Sequence, residues 1–212
     1  MDREGILVVI SGFAGAGKGT IVKGLMEKYD DYALSVSMTT RQPRPGEEEG
    51  KAYFFVDKQK FEETIAAGGL IEYAQYCDNY YGTPKAYVEE QLKKGKDVIL
   101  EIEIQGALQV RKIYPTALLL FVTPPSAEEL RNRLIGRGTE TPEVVKKRMD
   151  RAAQEADGMG EYDYILVNDT VDKAVSDAHA IITAAHARPS RNAALLKSIN
   201  DELDKMAATK DL

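Results

Sequence analysis

The pattern of hydrophobic positions is clearest near the start of the chain, where residues 6–10 are all apolar and four of the five are β-branched. Such a run predicts a strand buried on both faces of a parallel sheet. A glycine-rich turn follows at once, and residues 20–28 have the pattern of a helix. A strand, a glycine-rich turn and a helix in this order predict a phosphate-binding loop.

Strands and helices alternate along the rest of the chain. Residues 32–45 indicate a strand that runs into a loop, and further strands are predicted at residues 52–56, 70–76, 97–103, 116–123 and 164–168. Helices are predicted at residues 57–67 (capped by Asp57), 105–114 and 170–187, and two more begin at the capping box of Ser126 and at Pro142. This order predicts an α/β fold: a parallel-sheet core with helices on both faces, an inserted small mixed α/β subdomain and a helical lid.

The domain boundaries follow from these elements. We place one domain at residues 1–187, with its core at 1–33, 96–125 and 160–187, the inserted subdomain at 34–95 and the lid at 126–159. His179 and His186, on the closing helix, are expected at the surface. The tail at residues 188–212 carries Leu195, Leu196, Ile199 and Leu203 on one helical stripe. That stripe could pack on the core or on a second subunit, which would make the protein a homo-oligomer.

Composition narrows the classes of function. A length of 212 residues suits one sizeable domain, and a net charge of −6 argues against a nucleic-acid-binding surface. A single cysteine, Cys77, excludes an internal disulfide, and with only two histidines a zinc site is not expected. The N-terminal residues have neither a signal-peptide pattern nor a membrane span, so we expect a cytoplasmic protein with no membrane partner.

The glycine-rich turn carries the first candidate chemistry. Gly12, Gly15, Gly17 and Gly19 leave room for backbone N–H groups to converge on an anion, and Lys18 can reach the outer phosphates of a nucleotide. The usual pattern has a hydroxyl directly after the lysine, but Thr20 lies one place later, so Mg²⁺ is expected to be held mostly through water. The alternative is a turn that only joins a strand to a helix.

Arginines form a second candidate feature. Seven of the eleven lie at positions 41, 44, 131, 133, 137, 148 and 151, a concentration better explained by phosphate than by solubility. Arg41 and Arg44 lie near two prolines that limit backbone freedom, with an exposed loop of solvated arginines as the alternative, and Arg133 and Arg137 share a helix face. For Arg131 and Arg151 the solvent-facing interpretation is retained.

Carboxylates supply the third feature. Glu72, on a predicted strand, could accept two parallel N–H bonds from a planar base, or could simply face solvent. Thr83 precedes Pro84 and could cap a helix or contact a ligand. Glu101 and Glu103 are expected on one side at the carboxyl end of a strand, where parallel sheets bind ligands.

With these motifs in place, the chain resembles a guanylate kinase from residue 5 to about residue 187. The matching segments are residues 12–20 (GFAGAGKGT), 35–44 (SVSMTTRQPR), 71–75 (IEYAQ), 79–83 (NYYGT), 104–106 (IQG), 133–140 (RLIGRGTE) and 167–169 (VND). The resemblance implies transfer of the γ-phosphoryl group of ATP to GMP, with Mg²⁺ as cofactor, in purine metabolism.

The resemblance also implies site residues. It assigns ATP binding to Gly12, Phe13, Ala14, Gly15, Ala16, Gly17, Lys18, Gly19, Thr20, Arg133, Arg137 and Asn168. It assigns GMP binding to Ser37, Arg41, Arg44, Tyr53, Glu72, Tyr81, Gly82, Thr83, Glu101 and Glu103, so that the inserted subdomain binds GMP. Catalytic roles fall to Lys18, Arg41, Arg137 and Arg148.

Phe13 and Ala14 depart from the proline and serine common in the family, and Glu101 and Glu103 replace frequent aspartates. Two other functions stay open at this point: a catalytically silent guanylate kinase-like interaction module, and a kinase for another nucleoside monophosphate.

Overall fold

The computed structural model describes residues 4–44, 46–76, 78–136 and 141–208. Its strands are β1 (Leu7–Gly12), β2 (Tyr32–Leu34), β3 (Met38–Thr39), β4 (Phe54–Phe55), β5 (Leu70–Tyr76), β6 (Asn79–Pro84), β7 (Asp97–Glu101), β8 (Leu118–Thr123) and β9 (Tyr164–Val167). Its α-helices are α1 (Lys18–Lys28), α2 (Lys58–Ala66), α3 (Lys85–Lys93), α4 (Ile104–Ile113), α5 (Ala127–Gly136), α6 (Pro142–Ala156), α7 (Val171–His186) and α8 (Ala193–Ala208). Short 3₁₀ turns lie at Met159–Glu161 and Pro189–Arg191.

The core is a five-stranded sheet in the order β2-β7-β1-β8-β9, and all neighbouring strands are parallel. Its central strand β1 has every residue buried, because both faces of the sheet are covered. Val8 and Ile10 pack towards α1 and α7, whereas Leu7 and Val9 pack towards α3 and α4. The predicted α/β fold with helices on both faces is confirmed. Since the strands are parallel, the glycine-rich turn after β1 and the end of β7 meet at one edge.

A second sheet carries the strands between residues 38 and 84, in the order β4-β3-β6-β5. Its β3–β6 and β5–β6 pairs are antiparallel, and α2 covers it through Phe61, which is fully buried and stacks on Tyr80 at 5.2 Å. Asp57 caps α2 as predicted, by accepting a hydrogen bond from the backbone N–H of Lys60.

Helix α4 joins the two sheets. Gln109 accepts a hydrogen bond from the backbone N–H of Tyr73 at 3.3 Å and donates one to the Tyr73 carbonyl at 3.1 Å. The Gln109 side chain therefore bonds to β5 much as a neighbouring strand would, and this contact fixes where β5 lies relative to the core.

The prediction that both histidines of α7 are surface residues needs correction, because both are half-buried and bonded to other elements. His179 stacks on Tyr29 with ring centroids 3.6 Å apart and hydrogen-bonds the Tyr32 hydroxyl at 2.7 Å. His186 Nε2 lies 2.9 Å from a carboxylate oxygen of Asp97, which is only 2% exposed and also accepts the backbone N–H of Ile6. Each histidine follows a buried residue of α7 by four positions, so both belong to the edge of its inner face.

Helix α8 extends the fold without joining its core. Asn192 bonds to the carbonyls of His186 and Arg188 just before the helix begins. No residue of α8 is buried, and its apolar side chains Leu195, Leu196, Ile199, Leu203 and Met206 are 41–65% exposed. Of the two alternatives for this stripe, packing on the core is therefore excluded. Among the described residues, no helix combines the length and the apolar character needed to cross a membrane.

Candidate active site

The glycine-rich turn after β1 has the geometry of an anion cradle. Gly12 and Gly17 have φ angles of 148° and 93°, which favour glycine. A Cβ on Gly12 would also lie 2.1 Å from the Val122 carbonyl oxygen of β8. Gly17 precedes α1, and no described side chain caps that helix. The first N–H groups of α1 are thus available to a bound anion, and the helix dipole favours negative charge there.

Lys18 lies folded over this turn. Its ammonium group donates to the carbonyl of Gly12 at 2.6 Å and to that of Phe13 at 3.3 Å. The Glu101 carboxylate, at the end of β7, is on the same side: a Cβ on Gly19 would lie 3.6 Å from both Glu101 oxygens. The Glu101 carboxylate thus lies in the direction in which a side chain at position 19, directly after Lys18, would project. Lost hydration raises the pKa of Glu101, and the Lys18 charge opposes that rise.

A second group of side chains surrounds Arg41. Its guanidinium carbon lies 5.3 Å from the ring centre of Tyr53, and Tyr53 packs edge-on against Tyr81 at 6.0 Å. Glu47 holds the two terminal nitrogens of Arg41, and this hydrogen bonding raises the pKa of Arg41. Burial raises the pKa of Tyr53, with smaller effects from Tyr81, Arg41 and Glu101. An arginine with two phenols nearby offers the N–H and O–H donors that a phosphate monoester accepts.

Beside this group lies a buried carboxylate. Glu72 on β5 is 6% exposed, and its Oε1 accepts a hydrogen bond of 2.6 Å from the Thr83 hydroxyl on β6. Burial raises the pKa of Glu72, and the Thr83 bond partly opposes the rise. Thr83 is therefore not a helix cap; Pro84 precedes α3 in that position. Gly82 lies between β3 and β5, where a Cβ would lie 3.0 Å from the Glu72 carbonyl oxygen.

A family model described as guanylate kinase matches residues 4–185 of the chain. This protein belongs to the guanylate kinase family. The guanylate kinase of Latilactobacillus sakei subsp. sakei (strain 23K) is 50% identical over 192 residues, covering 90% of this chain and 95% of that protein. The guanylate kinase of Oceanobacillus iheyensis (strain DSM 14371 / CIP 107618 / JCM 11309 / KCTC 3954 / HTE831) is 49% identical over 202 residues, covering 95% and 98%.

A solved structure agrees with these sequence matches. The crystal structure of guanylate kinase from Anaplasma phagocytophilum superposes with a TM-score of 0.73 at 32% identity, covering 89% of this chain and 90% of that one. The resemblance stated from the motifs is thereby confirmed at the level of the family and of the fold.

Within this guanylate kinase-family site, Asn168 supports the glycine-rich turn from behind. Asn168 is 3% exposed, and its side-chain amide donates to the Ala16 carbonyl at 2.7 Å. A Cβ on Gly17 would lie only 2.3 Å from Asn168 Nδ2, so glycine at position 17 leaves room for this amide. Arg133 on α5 donates to the Asn168 carbonyl at 2.9 Å and pairs with Glu129. Both residues were predicted from the resemblance to bind ATP. Asn168 contacts the turn directly, and Arg133 contacts Asn168.

Phe13, one of the departures from the family's common loop, is 8% exposed and packs edge-on against Phe121 at 4.9 Å. A buried aromatic partner thus accounts for a large side chain within a turn of small residues. Ala14, the second departure, is exposed, as is Thr20 in the first turn of α1.

Glu103 is not part of β7, and its role in GMP binding stays a prediction. The prediction of one strand through residue 103 is wrong, because β7 ends at Glu101 and Glu103 directly precedes α4. The Glu103 carboxylate is exposed and pairs with Arg151 at 3.2 Å, and Arg151 is itself exposed, as predicted. Glu103 still raises the pKa of Glu101 through its charge.

The remaining predicted residues differ in how far the structure places them. Ser37 is half-buried beside β3, and its carbonyl accepts the backbone N–H of Phe54. Arg44 is exposed, and Arg148 is half-buried on α6, three residues after the buried Val145. Arg137 lies outside the described residues.

Two residues of the site were missed from the sequence. Glu47 belongs to the acidic stretch 46–50, which was interpreted only as a turn, yet it binds Arg41 and the backbone N–H of Arg44. Gln109 was one polar position on a helix. A carboxylate six residues after an arginine, in a loop with two prolines, could have suggested the contact between Glu47 and Arg41. No local pattern points to the contact between Gln109 and Tyr73.

Proposed function

We infer that this protein catalyses ATP-dependent phosphorylation of GMP to GDP, the reaction for which its family is named. The observation that carries this inference is the buried Glu72 carboxylate, oriented by Thr83, beside the Arg41 cluster. Glu72 is 6% exposed, and among the described residues its carboxylate has the Thr83 hydroxyl as a partner but no cation, so a buried negative charge remains without a counter-charge or N–H donors. A ligand with N–H donors supplies the missing partner.

Guanine is the base that fits. Its N1–H and N2–H₂ donors lie side by side and can bond both oxygens of one carboxylate, whereas adenine cannot present this arrangement. We propose that Glu72 reads this edge, with Thr83 and Ser37 as neighbouring hydroxyls, and that Arg41, Arg44, Tyr53 and Tyr81 hold the GMP phosphate.

On the other side, the glycine-rich turn and the start of α1 are proposed to bind the ATP phosphates. A phosphate oxygen of GMP attacks the γ-phosphorus in line while the bond to the ADP oxygen breaks, so no covalent intermediate with the protein is needed. Lys18 stabilises the charge that moves between the two nucleotides, and Arg133, Arg137 and Arg148 belong to the lid that closes over ATP.

The family requires a divalent metal with ATP, and we propose Mg²⁺. The described residues contain no cluster of three or more His, Cys, Asp or Glu side chains that could hold a metal alone. This suits Mg²⁺, which commonly keeps several waters and binds one carboxylate together with substrate phosphates. Glu101 and the Thr20 hydroxyl would hold it, and bound Mg²⁺ would neutralise phosphate charge.

A coupled assay that offers GMP, AMP, dTMP and UMP in turn tests the function. We expect strong preference for GMP in the parent, and loss of discrimination between GMP and AMP in Glu72→Ala. Equal turnover of all four nucleotides would favour a kinase of broad specificity, and turnover of none would favour the silent interaction module. An unchanged GMP preference in Glu72→Ala would contradict the base-reading role.

We also propose that α8 pairs with α8 of a second copy. Leu196, Ile199, Leu203 and Met206 recur at spacings of three, four and three, which is a coiled-coil seam, and all are at least 45% exposed. Arg188 and Arg191 lie before the helix and Lys197 lies in its first half, while three acidic residues, Asp201, Glu202 and Asp204, and one lysine, Lys205, lie in its second half. Antiparallel pairing around a two-fold axis brings these opposite charges together.

Sedimentation velocity of the full chain over a range of concentrations tests this pairing. The parent and Ala194→Asp, which changes the opposite face of α8, should form dimers, and Ile199→Asp should be monomeric. A parent that stays monomeric at every concentration would rule the pairing out. We propose the cytoplasm, where both nucleotides occur, as the place of action.

A further inference from the structure

The base-reading carboxylate has a close neighbour that no function has yet accounted for. Gly106, on the first turn of α4, is buried and faces Glu72 across the boundary between the two sheets. A Cβ on Gly106 would lie 2.6 Å from Glu72 Oε2 and 3.2 Å from its carboxyl carbon. Any side chain at this position would therefore overlap the carboxylate where it now lies.

Both oxygens of Glu72 are thus constrained from the protein side. Thr83 holds Oε1 by a 2.6 Å hydrogen bond, and the bare α-carbon of Gly106 allows Oε2 to lie against α4. Three residues further along the same helix face, Gln109 bonds both backbone groups of Tyr73, the residue after Glu72. Helix α4 thus fixes the backbone of β5 and leaves room for the carboxylate that β5 carries.

We propose that Gly106 is a positioning residue for Glu72, and that its missing side chain sets the orientation in which the carboxylate meets guanine. This inference rests on the proposed function. Glycine within a helix is less favourable than alanine, and besides Glu72 an added Cβ would have only the terminal methyl group of Ile102 as a close neighbour, at 3.3 Å, so packing gives little other reason for glycine here. The group that an added methyl would meet is the end of a flexible side chain, which can rotate away. The fold would tolerate the methyl, and the paired hydrogen bonds to N1–H and N2–H₂ would not.

Steady-state kinetics of Gly106→Ala test the proposal. We expect the KM for GMP to rise at least tenfold and the KM for ATP to stay within twofold, with a melting temperature equal to or above that of the parent. The preference for GMP over IMP should also fall, because IMP lacks the N2 amino group that one carboxylate oxygen binds. Gly160→Ala is the matched control: nothing lies within 4 Å of a Cβ there, so its kinetics should match the parent.

A double-mutant cycle with Glu72→Ala separates this proposal from the proposal that Glu72 recognises guanine. In the Glu72→Ala background, Gly106→Ala should change kcat/KM for GMP less than twofold, because the side chain that would be displaced is gone. An equal loss in both backgrounds would overturn the proposal, and so would a failure of Gly106→Ala to fold. If Glu72→Ala loses its GMP preference while Gly106→Ala behaves like the parent, only the role of Gly106 is refuted. If Glu72→Ala keeps that preference, the base-reading role itself fails.

Discussion

The Glu47 carboxylate binds Arg41 through both of its terminal nitrogens, at 3.0 and 2.9 Å. The same carboxylate accepts the backbone N–H of Arg44 at 2.8 Å. Glu47 thus fixes the side chain of one predicted phosphate ligand and the backbone of the other. The guanidinium also lowers the pKa of Glu47, which keeps this carboxylate ionised as pH falls.

From this contact we predict that Glu47→Ala weakens GMP binding. Without this carboxylate the Arg41 side chain and the Arg44 backbone lose the contact that fixes them, so the KM for GMP should rise severalfold. The KM for ATP should not change. Glu48→Ala, which removes a neighbouring and far more exposed carboxylate, is the control. A lower KM for GMP in Glu47→Ala would mean instead that Glu47 competes with the substrate phosphate.

Glu72→Gln should gain stability while losing activity. The folded-state pKa of Glu72 is raised by burial, so the ionised carboxylate costs stability above that pKa and costs nothing below the unfolded value of about 4.3. At pH 8 the variant should be more stable than the parent by on the order of 1 kcal/mol. The difference should shrink as the pH falls and vanish near pH 4.

Thermal melting of parent and Glu72→Gln across this pH range measures the effect. Glu90→Gln is the control of opposite sign, because a hydrogen bond from Lys94 lowers the pKa of Glu90. A difference between Glu72→Gln and the parent that does not depend on pH would contradict the assigned ionisation of Glu72.

Lys18→Met should affect turnover more than binding. If the ammonium group stabilises charge on the moving phosphoryl group, its loss lowers kcat by about 10²–10³-fold. The KM for GMP should change little, since the proposed GMP site is the separate cluster around Arg41 and Glu72. Lys23→Met, on the same helix with a 73% exposed side chain, should retain parent kinetics. Rapid-quench measurement of a single turnover would reveal whether the loss lies in the chemical step, and a loss confined to ATP binding would refute the prediction.

Asn168 should prove to be a support of the ATP site. Asn168→Ala removes a buried hydrogen bond to Ala16, which should cost about 1–3 kcal/mol of stability and raise the KM for ATP. Asn168→Asp should be worse, because it brings a carboxylate against a carbonyl oxygen 2.7 Å from the present Nδ2. Denaturant unfolding and ATP kinetics check both, with Asp169→Asn as the exposed neighbouring control. If Asn168→Ala and Asn168→Asp were as stable as the parent and as Asp169→Asn, the turn would not need this hydrogen bond to hold its shape.

The sequence predicted those features that depend on local pattern. An apolar run followed by glycines and a lysine predicts a buried strand, a tight turn and a helix in that order. The positions of β1, the turn and α1 were therefore predicted correctly. Asp57 as the cap of α2 was confirmed for the same reason, since the bond to Lys60 spans three residues. The open choice for Thr83 needed the structure, because its partner Glu72 is on a different strand.

The errors have a common physical origin in contacts between distant segments. The end of β7 at Glu101 is set by where α4 begins, and alternation alone could not reveal it. His179 and His186 read as polar positions of an amphipathic helix, but their partners Tyr32 and Asp97 come from β2 and β7. The close approach of Gly106 to Glu72 likewise brings together two segments of unrelated pattern.

The end of β7 has a consequence for how the two nucleotides influence each other. Glu101 is within electrostatic reach of both Lys18, in the glycine-rich turn, and Tyr53, in the Arg41 cluster. A change of charge in either pocket therefore alters the field in its neighbour. We expect ATP and GMP to bind with heterotropic coupling, and thermodynamic linkage requires each to change the affinity for the other by the same factor.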